Sequence, residues 1–413
     1  MMPRLALTSA VILLAAILAG AETPAAVAAQ AGRTYWAYVG AESADLIHRL
    51  RFDGATLVVE RTTTIGEIPN EMEGPHGLQT SRDGKFLYMT TGHGRPEGKL
   101  WIFDISGDAD KLVGPTGIDL GMFPASVDVT PDGLYTFSVN FNLHGDMVPS
   151  TVSVVYVPDR TEVARIVTCT MPHGSRLNPS GTRQYSTCMM DDQLVEIDTV
   201  KYEVARRFSV AKGKEGPSPA AAPDAHAGHA MPAKPGVPAK PPVDPAEVGY
   251  TGERHQMTPA SCSPTWAQPS AKGDRIYVAC NKADEILEID TATWTLTRRL
   301  PTGRGVYNLA VTPDARRLVA TLKQGSLVEI FDLPSGKSLG RLKTSTTLAH
   351  GVSVTPDSRY AFVSSEGVGS APGKVDVFDV QKPRLAASVS VGQQASGITF
   401  WKMKDLGSRF EVK

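Results

Sequence analysis

A short turn written Thr-Pro-Asp-Gly, or a close variant, returns along this chain and constrains its fold more than any other feature. It appears as Ser81-Arg82-Asp83-Gly84, Thr130-Pro131-Asp132-Gly133, Asn178-Pro179-Ser180-Gly181, Pro269-Ser270-Ala271-Lys272-Gly273, Thr312-Pro313-Asp314 and Thr355-Pro356-Asp357. Proline presets φ, Asp or Ser bonds the neighbouring backbone, and Gly tolerates positive φ. An apolar strand precedes each turn and a strand with aromatic or β-branched residues follows, such as Phe86-Leu87-Tyr88-Met89 or Tyr360-Ala361-Phe362-Val363. A third strand then ends in Asp, as in Leu194-Val195-Glu196-Ile197-Asp198 and Val328-Glu329-Ile330-Phe331-Asp332. Its partial alternation is the mark of a half-buried strand. With 38 Gly and 30 Pro in 413 residues, breakers are too frequent for a helical bundle.

Alignment on the turn proline puts His76, Ala125, His173, Ser263, Tyr307 and His350 at one repeat position. Repeats of roughly 40–50 residues with four strands are propeller blades. The ends complete the count. Ser396-Gly397-Ile398-Thr399-Phe400-Trp401 reads as a first strand with nothing after it, and Tyr35-Trp36-Ala37-Tyr38-Val39-Gly40 as a second strand with nothing before it. The expectation is an all-β, seven-bladed β-propeller of four-stranded blades over residues 35–405, its last blade closed by both termini. Closure leaves no open sheet edge. Residues 406–413 read as a tail.

The tandem blades, with strand motifs such as Tyr277-Val278-Ala279-Cys280-Asn281, resemble the YVTN-type (YncE-like) seven-bladed propellers. These belong with the nitrous-oxide-reductase, cytochrome d1 and lactonase-like propellers. The resemblance covers residues 35–213 and 261–405 and implies the fold. It implies little about function, since one propeller fold hosts many activities.

Residues 1–21 have the three parts of a secretory signal: Arg4, an apolar run over 5–18, and the small residues Ala19-Gly20-Ala21, with an alternative cut after residue 29. The run is shorter than the roughly 20 residues a membrane span needs. The expected location is therefore periplasmic or secreted, with no membrane-spanning segment. Four cysteines suit an oxidising compartment. They allow three pairings. A hairpin register that sets His173 opposite Cys188 and Ser263 opposite Cys280 favours Cys262–Cys280, with Cys169–Cys188 in parallel. The alternative is that Cys188, with Met189 and Met190, holds copper. Residues 214–260 interrupt the repeat with ten prolines and no apolar periodicity, which reads as a disordered or polyproline-like insertion.

Eight of the nine histidines map to one rim. His76, His173 and His350 begin first strands, and each is followed by Gly. His93 and His144 lie in loops between second and third strands. His226, His229 and His255 lie in the insertion, near Met231 and Met257. His48, in a third strand, is the exception. Convergent imidazoles with an open position bind zinc or copper, and imidazole beside thioether suits copper. The candidate metal ligands are therefore His76, His173, His350, His93, His144, His226, His229 and Met231, with copper or zinc as the ion. The alternative is a repeat that uses His-Gly only for backbone packing.

The 42 Lys and Arg balance 43 Asp and Glu for a net charge of −1, which argues against a nucleic-acid partner. The reading is a binding or scaffold propeller with a protein partner on its rim. The alternatives are a metal- or haem-dependent oxidoreductase and a lactonase-like hydrolase using His76, His173, Glu366 and Arg95 or Arg304. No Cys-x-x-Cys-His haem motif is present, and no Gly-x-Ser-x-Gly elbow stands before a helix.

Overall fold

The computed structural model describes residues 32–68, 71–92, 98–143, 145, 147–218, 259–405 and 411–412. They form seven antiparallel sheets, four with four strands and three with a short fifth, and in six of them the strands follow sequence order from the axis outward. The chain is a seven-bladed β-propeller. Blades one to six open with Pro75–Thr80, Pro124–Val129, Pro172–Leu177, Pro264–Pro269, Val306–Val311 and Ala349–Val354. Blade seven takes Ala395–Asp405 as its first strand and Arg33–Ala41, Leu46–Phe52 and Leu57–Thr64 as the others. Both termini close the ring, as the sequence predicts. No helix among the described residues is long and apolar enough to cross a membrane.

The turn residues act as their chemistry suggests. Thr130, Thr312 and Thr355 donate through Oγ1 to Asp132, Asp314 and Asp357, and the same oxygens accept from the N–H that begins the second strand. The Asp ending each third strand accepts from the next turn, as Asp198 does from Val200 and Lys201, and Asp379 from Gln381 and Lys382. The core lies between blades. Tyr35 and Phe52 of blade seven pack on Tyr360 and Phe362 of blade six, with Phe52 and Tyr360 edge to face at 5.0 Å.

Two expectations need correction. In blade four the residue equivalent to His173 is Thr265, not Ser263. Pro264 pairs with Cys280 as Pro172 pairs with Cys188, so the hairpin register also moves by one residue. The cause is that Pro269 ends the strand, and Ala271 holds the place of the turn proline. Second, the insertion is ordered at its start. Gly216–Ser218 pair with the outer strand Glu203–Ser209, whose edge otherwise leaves backbone groups unpaired. The favoured cysteine pairing holds, so Cys188 is not available to a metal. The disulfides are Cys169–Cys188 and Cys262–Cys280, with Cα separations of 5.8 and 4.5 Å. The first joins the outer strand of blade two to blade three. The proposed signal segment and residues 219–258 lie outside the described residues. In the expected tail, Glu411–Val412 pair with Ala395–Asp405.

Glycine follows the ring position in four blades because first strands crowd at the axis. A Cβ on Gly174 would stand 2.2 Å from the Thr265 carbonyl oxygen and 2.4 Å from Trp266, and one on Gly397 would stand 1.9 Å from the His76 carbonyl. Backbone cannot yield there as a side chain would. Gly174→Ala is expected to cost about 3 kcal/mol, read as a lower urea midpoint, because overpacking a rigid site forces backbone shifts. An unchanged midpoint would show that the axis has slack.

Candidate metal centre at the channel mouth

Two rings of side chains build the site. The first ring is the second residue of every first strand: His76, Ala125, His173, Thr265, Tyr307, His350 and Ser396. Two residues earlier the chain turns toward the axis through a left-handed residue in all seven blades: Gly74, Phe123, Met171, Ser263, Gly305, Leu348 and Gln394, with φ from 48° to 71°. Five of these carry side chains, and left-handed backbone is uncommon for such residues, so the turn is imposed by closure of the ring.

The second ring is the residue after each second strand: Glu42, Gly92, Phe141, Met189, Asn281, Lys323 and Glu366. In five blades its N–H bonds the carbonyl of the left-handed residue, as Glu42 does to Gln394, Lys323 to Gly305 and Glu366 to Leu348. The repeat therefore stacks one ring on the other at the mouth.

The imidazoles of His76, His173 and His350 come together although their blades are not adjacent. The His76 ring is 5.4 Å from that of His350 and 6.2 Å from that of His173. All three are buried. Nδ1 of His76 lies 2.7 Å from the Ala125 carbonyl oxygen, and Nδ1 of His173 lies 2.8 Å from that of Thr265. A carbonyl accepts only, so each Nδ1 carries the proton and each Nε2 presents its lone pair. Metal-binding histidines typically donate their other ring N–H in this way, which fixes the tautomer and the ring orientation. His350 Nδ1 faces the Ser396 carbonyl but makes no hydrogen bond to it. That carbonyl accepts from Ser364 Oγ instead.

Glu42 joins His76 and His350. It is 2% exposed, and Gln394 Nε2 donates to its Oε2 at 2.9 Å. Its Oε1 lies 3.7 Å from His76 Nε2. One ligand atom from each of Glu42, His76 and His350 falls within 4.8 Å of the others. His173 is turned elsewhere: its Nε2 is 3.0 Å from the Tyr307 hydroxyl, which donates to it. The expected three-histidine set thus divides into a two-histidine, one-carboxylate set and a Tyr–His pair.

Glu366 and Lys323 stand beside His350. Glu366 Oε1 is 2.6 Å from Lys323 Nζ and 3.7 Å from His350 Nε2, and Lys323 Nζ lies 4.5 Å over the Tyr307 ring. Phe123 and Phe141 wall the other side, 5.4 Å from the His76 ring and 4.8 Å from the His173 ring. Below the imidazoles, Arg176 stacks on Trp266 at 4.6 Å, and both line a 20 Å³ cavity with room for about one water.

Burial governs protonation here. It holds His173 down to about 3, with His76 adding to the effect, and holds His350 well below the usual histidine range, with Lys323 adding. Burial also works against the charge of Lys323, but Tyr307, Glu366 and Glu42 outweigh it and hold it above the usual lysine value. A His with a depressed folded pKa takes up a proton more readily when unfolded. Stability is therefore lost as pH falls below the unfolded value of about 6.5, by up to about 1.4 kcal/mol per pH unit for His173. In metal-free protein, His173→Gln is expected to flatten the fall of the urea midpoint between pH 6.5 and 4.5. Parallel curves for the two proteins would refute that.

His93, His144, His226, His229 and Met231 lie outside the described residues, as do Arg95 and His255. His48 is structural: Nδ1 bonds Thr62 Oγ1 at 2.9 Å and Nε2 accepts from Gly392 N–H at 3.0 Å. Arg304 is exposed. Glu42, Tyr307 and Lys323 were not among the residues expected from sequence. The signal for Glu42 and Lys323 is their position, one residue past a second strand, in register with Glu366.

No protein-family model matches the chain, and no curated protein matches its sequence. Solved structures do. A functionally unknown protein from Desulfotomaculum acetoxidans DSM 771 is similar with a TM-score of 0.60 at 14% identity, over 89% of this chain and 98% of that one. Kuenenia stuttgartiensis hydrazine synthase is similar with a TM-score of 0.57 at 16% identity, over 85% of this chain and 98% of that one. At such identities the likeness establishes the propeller fold alone.

Proposed function

We propose that this chain is an exported, YVTN-type binding propeller that holds one divalent transition-metal ion at its channel mouth, between Glu42, His76 and His350. The observation that carries the reading is the convergence of two imidazoles and a buried carboxylate within 4.8 Å at one end of the channel. The oriented Nδ1–H of His76 supports it. Two nitrogens and an oxygen suit Zn²⁺, Fe²⁺ or Cu²⁺, whereas the thioethers that select Cu⁺ are not in this set. Export is supported by the signal-like first 21 residues and by two disulfides. The rim around the ion would serve a protein partner.

A second reading, metal-dependent catalysis at the same mouth, is favoured by one observation. The Tyr307 hydroxyl, held by His173, stands beside a set of three ligands that leaves coordination positions open. The first test is elemental analysis of untagged protein purified from its host compartment, with and without residues 219–258. About one zinc, iron or copper per chain in both forms is the expected result. Metal lost with the deleted segment would transfer binding to the insertion, and none in either form would refute the reading.

A further inference from the structure

We infer that the channel mouth is a receptor for a small monoanionic carboxylate, bound between the metal ion and Lys323. The inference rests on the metal reading above and adds the class of ligand.

Charge is the first argument. Glu42 and Glu366 carry two negative charges and Lys323 one positive. A divalent ion, with the imidazoles neutral as ligation requires, leaves one uncompensated positive charge. The ligands are buried, and an unpaired charge in such surroundings is costly. One bound monoanion cancels it.

Hydrogen-bonding capacity is the second. Among the described residues the Lys323 ammonium has one hydrogen-bond partner, Glu366. An ammonium has three donors, so two N–H groups remain. Lys323 is partly exposed at the mouth, held over the Tyr307 ring. The Tyr307 proton is committed to His173. Lys323 is therefore the donor left to meet an anion that also occupies an open metal position, and charge-assisted bonds of this kind are the strong ones.

The shape of the mouth narrows the choice. Beneath the imidazoles, beside the stacked Arg176 and Trp266, the cavity has room for about one water, so an organic ligand has to sit on the mouth side. Phe123 and Phe141, with Met171, Met189 and Met190 packed around them, give that side an apolar wall. An oxyanion head with a short apolar or aromatic body fits both halves. A phosphate dianion would overshoot the charge and leave the wall unused.

The test uses the full-length protein loaded with Co²⁺, whose visible absorption reports its ligands. Benzoate and chloride are titrated into wild type and into Lys323→Met, with the cobalt stoichiometry of each measured separately. Benzoate is expected to shift the cobalt bands saturably, with chloride about tenfold weaker, and Lys323→Met to raise the benzoate midpoint about tenfold. Cobalt that binds but ignores benzoate would overturn the inference and leave the metal reading standing. Equal midpoints in wild type and variant would remove Lys323 from the site, and chloride as strong as benzoate would overturn the carboxylate assignment. Failure of cobalt to bind at all would overturn the metal reading and the inference together.

Discussion

A chain that stops at residue 394 is expected not to fold. The strand it loses, Ala395–Asp405, is the first strand of blade seven and pairs with Arg33–Ala41 along its length. It carries Ala395, Ile398, Trp401 and Met403 into the core and ties blade seven to blade one. Trp401 Nε1 donates to the Gly84 carbonyl, Ser396 Oγ to that of Pro75, and Thr80 Oγ1 to that of Phe400. Three large apolar side chains at about 1.5–3 kcal/mol each amount to roughly 7 kcal/mol before any hydrogen bond is counted. That is comparable to the whole stability of an ordinary domain, about 5–15 kcal/mol. Removal also opens the ring and exposes the edge of Arg33–Ala41, a template for aggregation. Circular dichroism should show no cooperative melt, and a synthetic peptide of residues 395–413 added in trans should restore one. A truncated chain that melts within a few degrees of the intact protein would show that closure does not hold the propeller together.

The second large effect concerns the mouth. His76→Ala with His350→Ala is expected to lower metal affinity by at least about 100-fold, since loss of a group that merely hydrogen-bonds a ligand typically costs about 10- to 100-fold. The fold should survive. Ala already stands in the ring position of blade two, and ring carbonyls have other donors, such as Ser126 Oγ to His173 and Thr321 Oγ1 to His350. Competition titration against a chromophoric chelator gives the affinity, and a thermal melt gives the control. His173→Ala is expected to change affinity far less, because its Nε2 is engaged by Tyr307. If His173→Ala weakened binding as much as the double variant, the ion would lie among the three imidazoles, and Glu42 would not be a ligand.

Much of the fold is legible because the repeat is local. Each Thr-Pro-Asp turn satisfies its own backbone within six residues, as Thr130 to Tyr135 does, so the motif reads directly from sequence. Blade four shows the limit of that reading. Pro269 stands before the turn instead of inside it, and a count from proline alone lands on Ser263. The disulfides follow from the same hairpin geometry, although Cys169–Cys188 spans two blades. The candidate site is legible in part. His76, His173 and His350 share one repeat position, and the ring brings them to one mouth.

By itself the sequence determines what depends on neighbours in the chain: the strand and turn period, the number of blades, the closure by both ends, and the histidines at equivalent places. The tertiary structure decides which of these groups meet. Glu42 belongs to the N-terminal strands and its partner Gln394 to the C-terminal end, 352 residues apart, and only closure of the last blade sets them together. The division of the imidazoles, with His76 toward Glu42 and His173 toward Tyr307, depends on angles across a channel that no local pattern encodes. Local backbone chemistry repeats with every blade, whereas the chemistry of the mouth arises from the differences among seven equivalent positions once they face a common axis.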